Sequence, residues 1–198
     1  LSKIHEKISG IKIGLQYITN HSPEEIKELS KFNKPIFYDG KFFDIKNTLV
    51  KSIKSLKELN IDYATVHLLN GLNSLKAANK VAEEIGIKLL GVSVLTSFDD
   101  EELDELGFRD NIQDQVSRLI KIADKANLYG VICSPHEVKM INQIAPKLKC
   151  FTPGIRQDGN KNDQKRTMNA KQALEEGSDC LIIGRPITDG DPKKNIQK

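Results

Sequence analysis

The stretch Asp39-Gly40-Lys41-Phe42-Phe43-Asp44 places two carboxylates and an ammonium within six residues. It closes an apolar run, Pro35–Lys41 (PIFYDGK), whose composition suits a β-strand. Residues two apart on a strand project to one side, so Asp39 and Lys41 share a face, and Asp44 follows where the chain leaves the strand. Carboxylates around an ammonium hold it protonated and in place, which makes Lys41 a candidate general acid. The same residues would also make a solvated charged loop, and spacing alone does not choose between the two.

Lys12 interrupts a second apolar run, Ile11–Ile18 (IKIGLQYI). With Ile11 and Ile13 against a helix layer, alternation turns Lys12 and Gly14 to the opposite, interior face. An ammonium there needs a carboxylate partner, because unpaired burial is costly. A lysine on a solvated edge is the alternative.

A different chemistry is suggested by Thr152-Pro153-Gly154-Ile155-Arg156 and Ile183-Gly184-Arg185-Pro186, each of which ends an apolar run on glycine and arginine. Glycine N–H groups and a nearby helix N-terminus can cradle a phosphate, and a guanidinium adds paired donors for the dianion. Between them lies Gln157–Thr167 (QDGNKNDQKRT), a polar loop long for a strand-to-helix connection. It is a candidate lid or an exposed hydrophilic insertion.

No metal site is expected. His5, His21 and His136 fall at helix starts or on the surface, and no histidine pair has HxxxH or HExxH spacing. His67, inside Tyr63–Leu69 (YATVHLL), reads as a hydrogen-bonded structural histidine. No Cys–His arrangement suggests a covalent nucleophile.

These residues must be positioned by a regular frame. Seven β-rich runs alternate with amphipathic stretches: Ile11–Ile18, Pro35–Lys41, Tyr63–Leu69, Leu89–Thr96, Gly130–Ser134, Lys149–Pro153 and Cys180–Gly184. Several are nearly continuous Ile, Leu and Val, as in parallel strands covered on both faces. Ser22-Pro23-Glu24-Glu25 and Ser134-Pro135-His136-Glu137 are capping boxes with proline at the first helical position. Leu49, Ile53 and Leu56, and Val116, Leu119, Ile120 and Ala123, supply one buried stripe per helix. The pattern predicts either a doubly wound sheet or a (β/α)₈ TIM barrel. No GxGxxG or GxxxxGK[ST] follows the first strand, which favours the barrel. The eighth unit is expected before residue 1, so that the chain starts in the first helix, and Asp191–Lys198 is expected to begin the last helix and stop early.

Composition sets the outer bounds. A chain of 198 residues with 38% hydrophobic and 29% charged residues suits a single soluble globular domain spanning 1–198. Thirty Lys+Arg against 27 Asp+Glu, spread along the chain, build no basic stripe for nucleic acid. No apolar run reaches the roughly 18–20 residues of a membrane span, and the first ten residues lack the apolar core of a signal peptide. Cys133, Cys150 and Cys180 read as buried reduced thiols, which fits a reducing cytoplasm. The chain opens on Leu, so its natural start is expected to lie upstream.

Asp39-Gly40-Lys41-Phe42-Phe43-Asp44-Ile45-Lys46-Asn47-Thr48 closely resembles the DxKxxDIPNT signature of the orotidine 5′-phosphate decarboxylases. The resemblance continues, in the family's order, through Lys12-Ile13-Gly14, Val94-Leu95-Thr96-Ser97, Val131-Ile132-Cys133-Ser134, Thr152-Pro153-Gly154-Ile155-Arg156, Asp163-Gln164-Lys165-Arg166 and Ile183-Gly184-Arg185-Pro186-Ile187-Thr188. It is similar to the bacterial branch, with Lys46 where proline is usual and Phe43 where histidine is common.

The resemblance implies conversion of orotidine 5′-monophosphate to UMP and CO₂, the last step of de novo pyrimidine nucleotide synthesis, without metal or organic cofactor. It assigns Lys12, Asp39, Lys41 and Asp44 to a catalytic charge network, with Asp39 near the substrate carboxylate and Lys41 giving the proton to C6. Lys12, Asp39, Lys41 and Thr48 also count among its substrate-binding residues. Phosphate and ribose contacts fall to Arg156, Gln164, Gly184 and Arg185, and pyrimidine contacts to Thr96 or Ser97. The equivalents of Asp44 and Thr48 reach into the partner subunit's site, so a homodimer is implied. The family's first strand carries a ribose-binding aspartate that no residue of this chain supplies, which again points to a missing first strand.

Two rivals remain. A metal-dependent sugar-phosphate aldolase or decarboxylase of the same barrel type shares the Asp-x-Lys-x-x-Asp core but needs further acidic ligands at strand ends. A non-catalytic nucleotide-binding barrel is opposed by the intact Lys12, Asp39, Lys41 and Asp44.

Overall fold

The computed structural model describes residues 1–156 and 167–197, arranged as two compact units. One unit comprises Leu1–Leu90 and Gly184–Lys198, the other Gly91–Ile183.

In the first unit β1 (Ile11–Gly14), β2 (Ile36–Phe42) and β3 (Tyr63–His67) run parallel in chain order. Ile11 pairs with Ile36 and Gly14 with Asp39, so the end of β1 lies beside the acidic residue of β2. Ile11 and Ile13 are buried while Lys12 between them is not, as the alternation predicts. The expected strand over Ile11–Ile18 nevertheless ends at Gly14. Leu15–Asn20 forms helix α1, in which Thr19 Oγ1 donates to the Leu15 carbonyl at 2.9 Å and the His21 ring stacks on Tyr17.

Helix α2 (Pro23–Lys27) starts at the expected capping box, with the Glu25 N–H donating to Ser22 Oγ and the Ser22 N–H donating to Glu25 Oε2. Helix α3 (Lys46–Ser55) buries Leu49 and Ile53 completely, and α4 (Leu72–Glu84) does the same with Leu75, Ala78 and Ala82. Each such side chain contributes roughly 1.5–3 kcal/mol relative to exposure if it is a leucine or isoleucine. Strand β4 (Lys88–Val92) then carries the chain out of this unit.

The second unit holds α5 (Asp100–Glu105), α6 (Ile112–Lys125), β5 (Gly130–Ile132), α7 (Val138–Ile144), β6 (Lys149–Thr152), α8 (Ala170–Glu175) and β7 (Cys180–Leu181). Here too neighbouring strands are parallel and in chain order. Val116, Leu119, Ile120 and Ala123 form the predicted buried stripe of α6. The box at Ser134 opens a 3-10 turn, Pro135–Glu137, that leads into α7. A third box, Asp99 with Glu102, opens α5.

Beyond β1, every predicted strand end except that of β2, which stops one residue short of Phe42, overruns the ladder by one to four residues. After Val92 the chain turns, with the Phe98 N–H donating to the Leu95 carbonyl at 3.0 Å, and after Leu181 it leads towards helix α9 (Arg185–Thr188). Helix α10 (Pro192–Asn195) follows with Asp191 as its cap, where the last helix was expected to begin. Cys133 and Cys150 are buried free thiols, but Cys180 is only half-buried, because β7 pairs for just two residues. Among the described residues no helix is long and apolar enough to cross a membrane.

Candidate active site

The chemistry-bearing end of β2 is not a regular strand. Tyr38 pairs with Ala64 and Phe42 with Val66, so Asp39, Gly40 and Lys41 together face a single residue of β3, Thr65. Such a bulge re-aims side chains and bends the strand. Lys41 pays for it with a left-handed backbone, φ 47°, a conformation that costs a non-glycine residue about 1–3 kcal/mol. Its N–H donates to Thr65 Oγ1 at 2.8 Å, a bond the interrupted ladder does not provide. At Gly40 an added Cβ would stand 2.7 Å from a Tyr38 ring carbon, because the Tyr38 and Phe42 rings stack 5.7 Å apart beside it. A side chain at this position would force the Tyr38 ring or the bulge to shift.

The bulge brings Lys41 Nζ to 2.9 Å from Asp39 Oδ1, while Lys12 Nζ reaches Oδ2 from β1, also at 2.9 Å. Thr65 Oγ1 adds a third donor, 3.1 Å from Oδ1. The Asp39 side chain is 11% exposed, whereas those of Lys12 and Lys41 are each 33% exposed. Burial by itself raises the Asp39 pKa, but the ammoniums of Lys12 and Lys41 outweigh it and hold the carboxyl below its ordinary range. The result is an ionised carboxylate between two accessible cations, a locally positive site suited to an anionic ligand.

Asp44 stands apart from this array. Its N–H donates to Asn70 Oδ1 at 3.1 Å, its carboxylate accepts the Ile45 N–H at 2.7 Å, and its side chain is exposed. Among the described residues, the expected flanking of Lys41 by two carboxylates of its own strand end is not formed. The chain bends after Phe42, and among the described residues Asp39 alone pairs with Lys41. Thr48 lies exposed in the first turn of α3. His67, at the end of β3, accepts the Leu69 N–H at Nδ1 and lies 5.6 Å from the Phe43 ring. Burial, and then the charge of Lys41, lower its pKa, which favours the neutral ring.

The other candidates are distributed over both units. Gly184 and Arg185 are exposed at the start of α9, where the Gly184 carbonyl accepts the N–H groups of Ile187 and Thr188. In the second unit, Thr96 is half-buried and Ser97 exposed in the turn after β4. Arg156 is half-buried, with Nη1 donating to the Ile155 carbonyl at 2.8 Å. Gln164 and nearly all of the candidate lid Gln157–Thr167 lie outside the described residues. Thr167 is described, and its carbonyl lies 3.1 Å from His136 Nε2. Among the described residues no group of three or more His, Cys, Asp or Glu is gathered as a metal-binding set.

Two contributors were not foreseen. Thr65 offered a signal in the lone hydroxyl of the buried run Ala64-Thr65-Val66. Asn70 offered none: its Nδ2 donates at 2.8 Å to the carbonyls of both Phe42 and His67, clamping the ends of β2 and β3.

The chain has known relatives. A curated protein of Wolbachia pipientis subsp. Culex pipiens (strain wPip), named orotidine 5′-phosphate decarboxylase, is 40% identical over 187 residues, covering 94% of this chain and 83% of that protein. One of Ehrlichia canis (strain Jake), with the same name, is 41% identical over 196 residues, covering 98% and 86%. The crystal structure of orotidine 5′-phosphate decarboxylase from Lactobacillus acidophilus superposes with a TM-score of 0.84 at 35% identity, covering 100% of this chain and 87% of that one. That likeness bears out the parallel α/β barrel class expected from the strand and helix alternation. With the family model matching residues 1–198 throughout, the chain belongs to the orotidine 5′-phosphate decarboxylase / HUMPS family.

Proposed function

We propose that this chain converts orotidine 5′-monophosphate to UMP and CO₂, with Lys41 as the proton donor. The observation that carries the reading is the Lys12–Asp39–Lys41 array. In the reaction the bond between C6 and the carboxylate carbon breaks, CO₂ leaves, and the electron pair stays on C6. Lys41 Nζ gives a proton to that carbon, and solvent returns one to the amine. Charge develops at C6 with little resonance help, so a preorganised ammonium beside it stabilises the transition state more than the ground state. Asp39 fixes that ammonium and opposes the substrate's own carboxylate.

Arg156, Gln164, Gly184 and Arg185 are proposed to hold the phosphate and ribose, and Thr96 or Ser97 the pyrimidine. Glycine and arginine together at the start of α9 support the phosphate assignment. A homodimer is proposed, with Asp44 and Thr48 entering the partner's site. Its support is the exposure of Phe43 (63%) and Ile45 (74%), which flank Asp44 and present an apolar surface. The free thiols agree with a cytoplasmic location.

Ultraviolet-monitored loss of orotidine monophosphate tests the reading. Activity is expected to survive EDTA, which a metal-dependent sugar-phosphate enzyme of the same family would not, and to be abolished by Lys41→Ala. UMP formation at the wild-type rate in that variant would overturn the mechanism.

A further inference from the structure

We propose that Thr65 is a positioning residue for the proton transfer: its hydroxyl couples the strained backbone that carries Lys41 to the carboxylate that orients the Lys41 ammonium. The proposal rests on the decarboxylase reading of the site. Thr65 is fully buried on β3, and both of its polar bonds go to that site. The hydroxyl accepts the Lys41 N–H at 2.8 Å and donates to Asp39 Oδ1 at 3.1 Å. With the Lys41 N–H directed at the oxygen, the single hydroxyl proton is left for Asp39, so the direction of both bonds is fixed.

The bulge makes this hydroxyl necessary. Three residues of β2 face one of β3, and the Lys41 N–H consequently meets a side-chain oxygen where a regular ladder would present a carbonyl. The bond tethers a residue at φ 47°, whose backbone sets the root of the ammonium-bearing side chain. The second bond places a donor on the same Asp39 oxygen that receives Lys41 Nζ at 2.9 Å. Thr65 thus holds both ends of the Asp39–Lys41 pair, the backbone end and the carboxylate end. Neither Asp39 nor Lys41 can drift without breaking one of its bonds. Thr65 touches no reacting atom in this account; it acts through the two residues it holds.

The discriminating experiment compares Thr65→Val, which keeps the shape and removes the hydroxyl, with Thr65→Ser, which keeps the hydroxyl and removes a methyl. In Thr65→Val, kcat is expected to fall roughly tenfold or more with KM little changed, because small misplacement of a reacting group is expensive in rate. Losing a donor to the ionised carboxylate raises the Asp39 pKa, so the acid limb of the pH–rate profile should move to higher pH. Thr65→Ser should restore most of the rate and return the acid limb to its wild-type position. Should Thr65→Val fail to fold, Thr65→Cys replaces it, since a thiol is a far weaker donor, and the same losses are expected.

The proposal is overturned by an unchanged kcat and acid limb in the hydroxyl-free variant. It is equally overturned by a Ser variant as impaired as the Val variant, which would mark a packing role, or by a change confined to KM. A wild-type chain inactive on orotidine monophosphate would instead remove the decarboxylase reading, so the two failures are distinguishable.

Discussion

Asp39 shows how a few charges decide the chemistry of a chain whose net charge says little. It is nearly buried, yet two ammoniums keep its carboxyl ionised. Because its folded pKa is lowered, the stabilisation it supplies is complete above the ordinary aspartate value of about 3.9 and is lost as pH falls through the lower folded value. Asp39→Asn leaves Lys12 and Lys41 facing each other without their common anion. The variant is therefore expected to melt earlier than wild type near neutral pH, by an amount equivalent to roughly 1–3 kcal/mol given the partial exposure of both lysines. The gap should narrow as pH falls below about 4, where the unfolded chain's aspartate takes up its proton first, and close once the folded carboxyl is itself neutralised at lower pH. Thermal melts of both proteins across that range check the sign; a gap that widened in acid would contradict a lowered pKa.

At the scale of elements the controlling feature is the bulge that ends β2. Gly40→Ala puts a methyl 2.7 Å from the Tyr38 ring, so the stacked Tyr38–Phe42 pair or the bulge must move. A loss of roughly 1–3 kcal/mol is expected from such overcrowding, together with a drop in kcat as Lys41 is displaced. Denaturant midpoints and steady-state rates measure the two effects. Asn70→Ala tests the neighbouring clamp. It removes bonds to Phe42, His67 and Asp44, so it should cost roughly 1–3 kcal/mol and expose the turn at Asp44 to faster hydrogen exchange. The positions of seven strands, two capping boxes and the helix stripes were legible in the sequence, because each is a local pattern of apolar spacing or turn chemistry. The proximity of Lys12 to Asp39 and Lys41 was legible for a related reason, since alternation and chain order put neighbouring parallel strand ends together. The bulge was not legible: it is a mismatch of register between β2 and β3, and no residue of either strand announces it alone. Thr65 escaped with it, because its role exists only where three residues face one. The displacement of Asp44 has the same origin, since a strand bent at Lys41 sends the next turn away from the array.

For the whole molecule, the decisive question is whether Asp44 serves its own subunit or another. Among the described residues its carboxylate bonds only the Ile45 N–H, and it sits between exposed Phe43 and Ile45. Both facts suit a residue completed by a second copy. Phe43→Asp combined with Ile45→Lys should yield a monomer by sedimentation, with activity lost although the Lys12–Asp39–Lys41 array is untouched. A stronger test mixes two inactive proteins, Lys41→Ala and Asp44→Asn, after dissociation and reassembly. If Asp44 acts across a two-fold interface, each mixed dimer contains one ruined site and one site with native Lys41 and native Asp44. Random pairing makes about half of the dimers mixed, so about a quarter of wild-type activity should return. If Asp44 acts within its own chain, every site in the mixed dimer carries a defect and the mixture stays as inactive as its parents. The recovered fraction therefore separates the two arrangements without reference to any structure of the assembly, and its absence in dimers shown to have exchanged subunits would refute the shared site.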